Sequence, residues 1–274
     1  MRGGVFNERD YQVASKKSLN AKNLETLGAA RLAEIMIEIT EGDAEAKRHL
    51  RLELAGARSS SAATSEIRKR LSIIARSRSF VEWDKIGKLI KDLELQRSAI
   101  IRHVSKDNPA EAMELIWRFV ALASSVFERS DDGSGQLIDV FHTAVDDLGE
   151  LAVAANADAE ELADQVFNAL IKNDYGQYDY LIRAMTTPLG DKGLNHLKER
   201  IVALSDEPVP TPEPGDREIV SWGPGGHRYA DEYAERRRES TVNLALQEIA
   251  DALGDVDGFI AQQSATAKKV PAVA

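Results

Sequence analysis

His142 and two aspartates at helical spacing from it could share a divalent metal ion. Asp139 lies three residues before this histidine and Asp146 four residues after it, so all three side chains can share one helical face. A zinc site needs further nitrogen or sulfur ligands, and no second histidine lies at ligand spacing. The sequence therefore predicts surface charge here and no metal site.

Other catalytic patterns are equally incomplete. Ser134 stands between two glycines, but the spacing of a nucleophile elbow is wrong and no strand precedes it. The turn 131–135 lacks the alternating oxygen ligands of a calcium loop, and the glycines of 223–226 lack the lysine of a phosphate loop. The chain has no cysteine, which excludes thiolate chemistry. We expect no enzymatic activity and no cofactor, and a site assembled from scattered Asp, His and Arg side chains is the open alternative.

A basic segment is the strongest candidate for binding. Residues 58–106 hold twelve Lys or Arg against five acids, a net charge of +7, whereas residues 131–179 hold twelve acids against one lysine, a net charge of -11. A solvated helix face explains such a segment in most proteins, and a surface for phosphates or an acidic partner is the functional interpretation. We define the basic segment as residues 66–91, and its candidate binding residues are Arg68, Lys69, Arg70, Arg76, Arg78, Lys85, Lys88 and Lys91.

Charged and aromatic residues elsewhere receive structural interpretations. Charges beside a buried helix are costly unless they pair, so we expect Arg118 or Arg129 to form a partly buried ion pair or to contact carbonyls, with Asp131 and Asp132 as candidate partners. Aromatic residues mostly fill cores in helical proteins. We expect this role for Trp83, Trp117, Tyr175, Tyr178 and Tyr180.

The elements that would position these residues are helices. Apolar residues recur about every 3.6 residues in segment after segment, and alternating strand patterns are almost absent. The most apolar segment is 108–135, where Asn108 can cap a helix and Pro109 suits its first position. A helix with apolar residues on several faces must be buried by its neighbours. The sequence therefore predicts an all-α fold, an antiparallel helical array that resembles an α-solenoid.

Before the proline run, helices are predicted in eight segments. They are 24–40, 44–56, a basic helix that follows the serine and alanine stretch 59–64, 84–104, 108–128, 137–151, 158–170 and 194–204. Prolines and glycines then interrupt the pattern. The predicted organisation is a polar tail at 1–22, a main helical-repeat domain at 23–206, a linker or long loop at 207–226, C-terminal helices at 227–265 and a tail at 266–274 that resembles the start of a truncated next helix.

Four short motifs suggest a family. His49–Leu54, Trp117-Arg-Phe119, Phe127–Gly135 and Tyr175-Gly-Gln-Tyr178 resemble recurrent motifs of a bacterial helical family of domains of unknown function. The resemblance runs from about Ser18 to the last residue. It implies packed antiparallel helices, it brings no assigned reaction and no catalytic residues, and it supports the interpretation of the C-terminal tail as truncated.

The composition of the chain indicates where in the cell we expect the protein. The N-terminus has no apolar core of signal-peptide length, and no run approaches the roughly 20 apolar residues that span a bilayer. With a net charge of -10 over 274 residues, indiscriminate binding to DNA or anionic membranes is not expected. We expect a cytoplasmic protein that acts as a non-enzymatic scaffold for an unidentified protein partner. The alternative is a protein that binds nucleic-acid phosphates through the basic segment 66–91.

Overall fold

The structure is a computed structural model that describes residues 18–208, 212, 213, 216–223 and 226–262. Helices make up 74% of these residues, which confirms the all-α class. The α-helices in this part of the chain are α1 Ala21–Glu25, α2 Gly28–Thr40, α3 Ala44–Arg58, α4 Ser60–Arg76, α5 Ile86–His103, α6 Pro109–Val120, α7 Ala123–Phe127, α8 Gln136–Ala154, α9 Ala159–Leu170, α10 Leu181–Asp206, α11 Ala230–Leu253 and α12 Val256–Gln262, with a short 3-10 helix at Trp83–Lys85.

The chain divides into two compact units, and the division falls within α3. The first unit ends at Arg51 and the second begins at Leu52. In the first unit, Thr40 is the one buried residue among those described, whereas the second unit contains an extensive apolar core. The sequence placed its main boundary at 207–226 instead, because prolines and glycines mark loops and carry no information about packing.

The core of the second unit is centred on α8. This helix packs against α5, α6 and α10, and α10 in turn packs against α9 and α11. The Phe141 ring of α8 lies 5.6 Å from the ring of Phe119 and 5.8 Å from that of Phe127, measured between ring centroids. Gly149 of α8 is buried, and any β-carbon there would overlap the backbone carbonyl of Ala184 in α10. A missing side chain therefore lets these two backbones approach closely.

The segment 108–128 is two helices and not one. The Asn108 side chain accepts a hydrogen bond from the Glu111 amide and Pro109 occupies the first position, as the capping pattern predicts. The helix then ends at Val120, and a turn leads to α7. Trp117 is half-buried, and the fully buried side chains of α6 are Ala112, Leu115, Ile116, Phe119 and Val120.

Several other boundaries differ from the predicted ones. Gly28 has a φ of 77°, in the left-handed region, and it separates α1 from α2 where the sequence suggested one helix over 24–40. The stretch 59–64 is not a separate connection, because Ser59 caps α4 and accepts a hydrogen bond from the Ala62 amide. The final helix predicted before the proline run is the second half of α10, which begins at Leu181 and is kinked near Pro188 and Gly190.

The predicted linker at 207–226 includes part of a β-hairpin, which corrects the sequence interpretation. Strand β1 Ile219–Gly223 pairs antiparallel with β2 Gly226–Tyr229. β-branched and aromatic residues before the glycines of 223–226, with Tyr229 after them, favour two short strands, and the preceding proline run obscured that signal. Of the polar tail predicted at 1–22, residues 1–17 lie outside the described residues, whereas Ala21 and Lys22 belong to α1. The tail predicted at 266–274 lies outside the described residues, so the structure does not bear on truncation.

Candidate functional site

Two arginines of the basic segment are neutralised by carboxylates of neighbouring helices. Arg70 of α4 binds the carboxylate of Asp92 in α5 with its Nε and Nη2 atoms, and Asp92 is only 6% exposed. Arg68 lies on the same helix and pairs with Glu111 and Glu114 of α6. Both arginines therefore join helices, which leaves less of their charge for a partner.

The other six cations of the segment are exposed. None of them forms an ion pair within the described part of the chain. They lie along the second half of α4, the connection after it and the start of α5. These residues are Lys69, Arg76, Arg78, Lys85, Lys88 and Lys91.

Apolar side chains are exposed among these cations. Trp83 is 73% exposed and Phe80 is 57% exposed, both in the connection between α4 and α5, and Ile73 of α4 is also exposed. The expected core position was therefore wrong for Tyr175 and Tyr180, which are 40% and 55% exposed, and it was wrong for Trp83. Trp83 lies in the short 3-10 helix, where no amphipathic face directs a side chain inward.

Backbone hydrogen bonds fix this connection to the segment that follows α7. The Val81 amide donates to the Arg129 carbonyl at 2.8 Å, and the Asp131 amide donates to the Val81 carbonyl at 3.1 Å. The Arg129 side chain also donates to the Ser79 carbonyl at 3.3 Å. The exposed aromatic residues are thus carried by backbone that is held at its centre, so little conformational entropy is lost when they bind.

Arg129 adds a partly buried positive charge beneath the connection. Among the described residues it pairs with no carboxylate, and its Nε atom is buried without a hydrogen-bond acceptor. Burial, and then the nearby charge of Arg70, lowers the pKa of the Arg129 guanidinium. An anionic group placed near Arg129 would offset the free-energy cost of burying its charge.

We call this region the connection surface and define it as Ile73, Arg76, Arg78, Phe80, Trp83, Lys85 and Lys88. It combines exposed apolar groups with cations, and it offers no group arranged for catalysis. The sequence identified its cations but missed Ile73, Phe80 and Trp83 as surface residues. The signal available was the interruption of helical periodicity over 77–85, with aromatic residues placed among arginines and lysines.

The other charged candidates lie in ordinary structural positions. Arg118 pairs with Glu114 one turn away at the surface, at 2.8 Å. Asp132 accepts a hydrogen bond from the Leu137 amide at 2.9 Å and thus caps the start of α8, while Asp131 is exposed. Arg118 and Arg129 therefore do not converge on one site with these two carboxylates.

The histidine cluster does not come together as a site. His142 contacts the carbonyl oxygen of Gly176 at 2.9 Å through Nε2, and Asp139 and Asp146 are both exposed. The part of the chain that the structure describes contains no group of three or more metal-ligating side chains. It also contains no helix that is both long and apolar enough to cross a membrane.

A polar cleft lies beside Arg68, with a volume of about 430 Å³. Hydroxyl residues at the start of α4, Ser61 and Thr64 among them, face Glu111 of α6 and its capping residue Asn108 across it. Because Glu111 already pairs with Arg68, the cleft holds its own counter-ion, and it has no excess charge to select an anion.

Fold and site together define a mostly helical protein with an aromatic and basic surface. The chain belongs to a family of unknown function, DUF6880, whose model matches residues 14–274. This confirms the resemblance to a domain of unknown function. No curated protein and no solved structure matches the chain.

Proposed function

We propose that this protein is a non-enzymatic helical scaffold, built like a helical-repeat solenoid, that binds an acidic protein partner through the connection surface. The observation that carries the proposal is the exposure of Trp83 and Phe80 on backbone that is hydrogen-bonded to 129–131. Leaving such side chains in water forgoes roughly 1.5–3 kcal/mol for each of them. A partner that covers them recovers this free energy.

The residue types of the surface are those of a protein interface. Aromatic residues and arginine are enriched at the centres of interfaces and dominate binding energies there. Trp83 and Phe80 would serve as anchors, and Arg76, Arg78, Lys85 and Lys88 would contact carboxylates around them. The charges of these cations are not neutralised within the described residues, so an acidic partner is favoured.

Nucleic acid is the second candidate, because an exposed tryptophan among cations can stack on bases while the cations contact phosphates. Two features favour protein instead, because the negative charges of a nucleic acid repeat along its whole length, whereas the acidic groups of a protein can be confined to the positions opposite the cations. Glu82 and Asp84 flank Trp83 and are exposed, so carboxylates would face a phosphate backbone. The chain as a whole carries a net charge of -10, which opposes the approach of a polyanion.

The test is affinity capture from the native cell with the full chain and two single variants, each with and without nuclease. Trp83→Ala removes the proposed anchor, and Trp222→Ala is the matched control, because Trp222 is an equally exposed tryptophan outside the connection surface. We expect the wild-type chain and Trp222→Ala to capture the same protein in both conditions, and Trp83→Ala to lose it. Capture that survives Trp83→Ala would refute the proposed anchor.

A direct binding measurement separates the two candidates. If the four cations of the connection surface bound single-stranded RNA, affinity would fall about 50-fold between 50 and 200 mM NaCl. We expect no binding of a labelled single-stranded RNA 20-mer at 150 mM NaCl, and nuclease-resistant capture of protein. Capture that nuclease abolishes, together with that steep salt dependence, would favour nucleic acid.

The proposal extends to the cellular location, to cofactors and to further contact surfaces. A cytoplasmic location in a bacterial cell suits a chain without cysteine, and a binding scaffold needs neither a metal nor a cofactor. Its charged helix faces would serve as further contact surfaces, as in stacked helical repeats.

A further inference from the structure

A second cleft lies between the loop that precedes α10 and the middle of α11. Its residues are distant in sequence from those of the connection surface. Its volume is about 290 Å³. We call it the tyrosine cleft, and its chemistry comes from Tyr178, Asp179, Tyr180, Arg237, Leu244 and Glu248. Small-molecule sites start at roughly this size, so the cleft suits a short chain and is too small for a nucleotide.

Tyr178 is the most deeply buried polar residue of the cleft. It is 6% exposed, and its hydroxyl makes no hydrogen bond with any described residue. Burial raises the pKa of this phenol to about 12, so the group is neutral at physiological pH and can accept as well as donate a hydrogen bond. Most of the side chain is buried but its unpartnered hydroxyl is accessible, so the hydroxyl is available to a ligand in the cleft that Tyr178 lines.

Glu248 lies near two other carboxylates, and among the described residues that line the cleft it has no unpaired cation beside it. Its carboxylate is half-buried and forms no ion pair with a described residue, and burial, then Asp179 and Asp251, raise its pKa. Among the described residues that line the cleft, Arg237 is the one cation, and it is already paired with Asp174. Two carboxylates from different elements thus face one space, which favours a cation.

The loop that carries both tyrosines is held in a fixed conformation. Tyr180 has a φ of 67°, a left-handed conformation that costs free energy for a residue with a side chain. The buried Gln177 side chain binds the Tyr175 amide and the Lys172 carbonyl, and Asn173 donates to Asp179 at 2.8 Å. A loop ordered in this way loses little entropy when a ligand binds.

We propose that the tyrosine cleft binds a primary ammonium group carried on a short alkyl chain. Glu248 and Asp179 would supply the counter-charge, the Tyr178 hydroxyl would accept a hydrogen bond, and the Tyr180 ring would lie against the cation. Leu244 and Ile182 line the cleft and would contact the alkyl chain. The ligand is either a free alkylamine or the lysine side chain of another protein, since both present the same group. This site is separate from the connection surface and goes beyond the function proposed above.

The experiment measures binding of four probes to the full chain by isothermal titration calorimetry at pH 7. The probes are pentylammonium, neutral 1-pentanol, anionic pentanoate, and N-acetyl-lysine N-methylamide. We expect pentylammonium to bind roughly tenfold or more tightly than 1-pentanol, and pentanoate not to bind. Tighter binding of the lysine derivative than of pentylammonium would identify a protein side chain as the source, and the reverse order would identify a free amine.

Variants locate the site. Glu248→Gln should weaken pentylammonium binding about tenfold, and Asp179→Asn is the second variant if the first fails to fold. Glu239→Gln is the matched control, because Glu239 lies on α11 and is exposed outside the cleft, and it should bind as the wild-type chain does. Equal binding of pentylammonium and 1-pentanol, unchanged binding by a folded Glu248→Gln or Asp179→Asn variant, or an equal loss in Glu239→Gln would overturn the proposal.

Discussion

The Arg70–Asp92 pair is the most buried ion pair of the basic segment, and it sets the stability of the α4–α5 contact at the scale of single residues. Asp92→Asn keeps the shape of the side chain but leaves the Arg70 charge without a counter-ion, beside the charge of Arg129. We expect a loss of about 3 kcal/mol in the free energy of unfolding, measured by urea denaturation.

Two comparisons make this prediction specific. Arg118→Ala breaks an exposed pair with Glu114 and should cost less than about 1 kcal/mol. The double variant Arg70→Met, Asp92→Leu removes both charges and should recover most of the loss, because apolar residues of similar volume can replace a buried pair. If Asp92→Asn cost no more than Arg118→Ala, the buried pair would not stabilise the contact.

Residue-level features were predictable from the sequence where they are local. The caps at Asn108 and Asp158 depend on amides two or three residues away, and both are present. Glu114 lies 46 residues from Arg68 and Asp92 lies 22 residues from Arg70 along the chain, and only packing brings these groups together. For the same reason the sequence did not separate the two paired arginines from the six cations without an ion pair among the described residues.

At the scale of elements, the close approach of α8 and α10 depends on Gly149. Any side chain there meets the backbone carbonyl of Ala184, which cannot move without shifting α10. Gly149→Ala should therefore destabilise the protein by about 1–3 kcal/mol, even though alanine favours helix more than glycine does. Thermal unfolding followed by circular dichroism measures this effect.

Gly87→Ala supplies the matched control for that substitution. Gly87 lies on α5, nothing lies within 4 Å of a β-carbon built there, and its φ is not positive. Only the helix preference of alanine acts at this position, so we expect a gain of about 0.5 kcal/mol. A Gly149→Ala variant as stable as Gly87→Ala would show that the two helices are not in close contact in solution.

Helices were predicted most accurately where the apolar periodicity continues over many residues. The segment over α8 and the segment over α9 have their expected positions, because each presents one apolar face to neighbours. The hairpin at 219–229 and the break between α6 and α7 were missed. The first is set by pairing between two short strands, and the second interrupts an apolar run with no Pro or Gly at the break.

At the scale of the whole molecule, the division of charge along the sequence is partly used inside the fold. Arg97 from the basic stretch binds Asp147 from the acidic stretch at 2.6 Å, and this pair joins α5 to α8. Burial raises the pKa of Asp147 while the bond to Arg97 opposes that rise. Most other acids of residues 131–179 are exposed, so the acidic stretch as a whole remains a surface feature.

The two units should differ strongly in local stability. Apolar side chains of α2 such as Ile37 and Ile39 are exposed, whereas α8 has nine buried residues at its packed faces. Local opening requires little free energy where few apolar contacts are lost, so the amides of α2 should exchange with deuterium roughly a thousandfold faster than those of α8. Hydrogen exchange measured by mass spectrometry on the full chain at pH 7 checks this, with α8 as the internal reference.

If the amides of α2 were protected as strongly as those of α8, its apolar face would have to be covered in solution. Repeating the measurement at several protein concentrations would then show whether a second copy provides the cover, because protection by self-association increases with concentration.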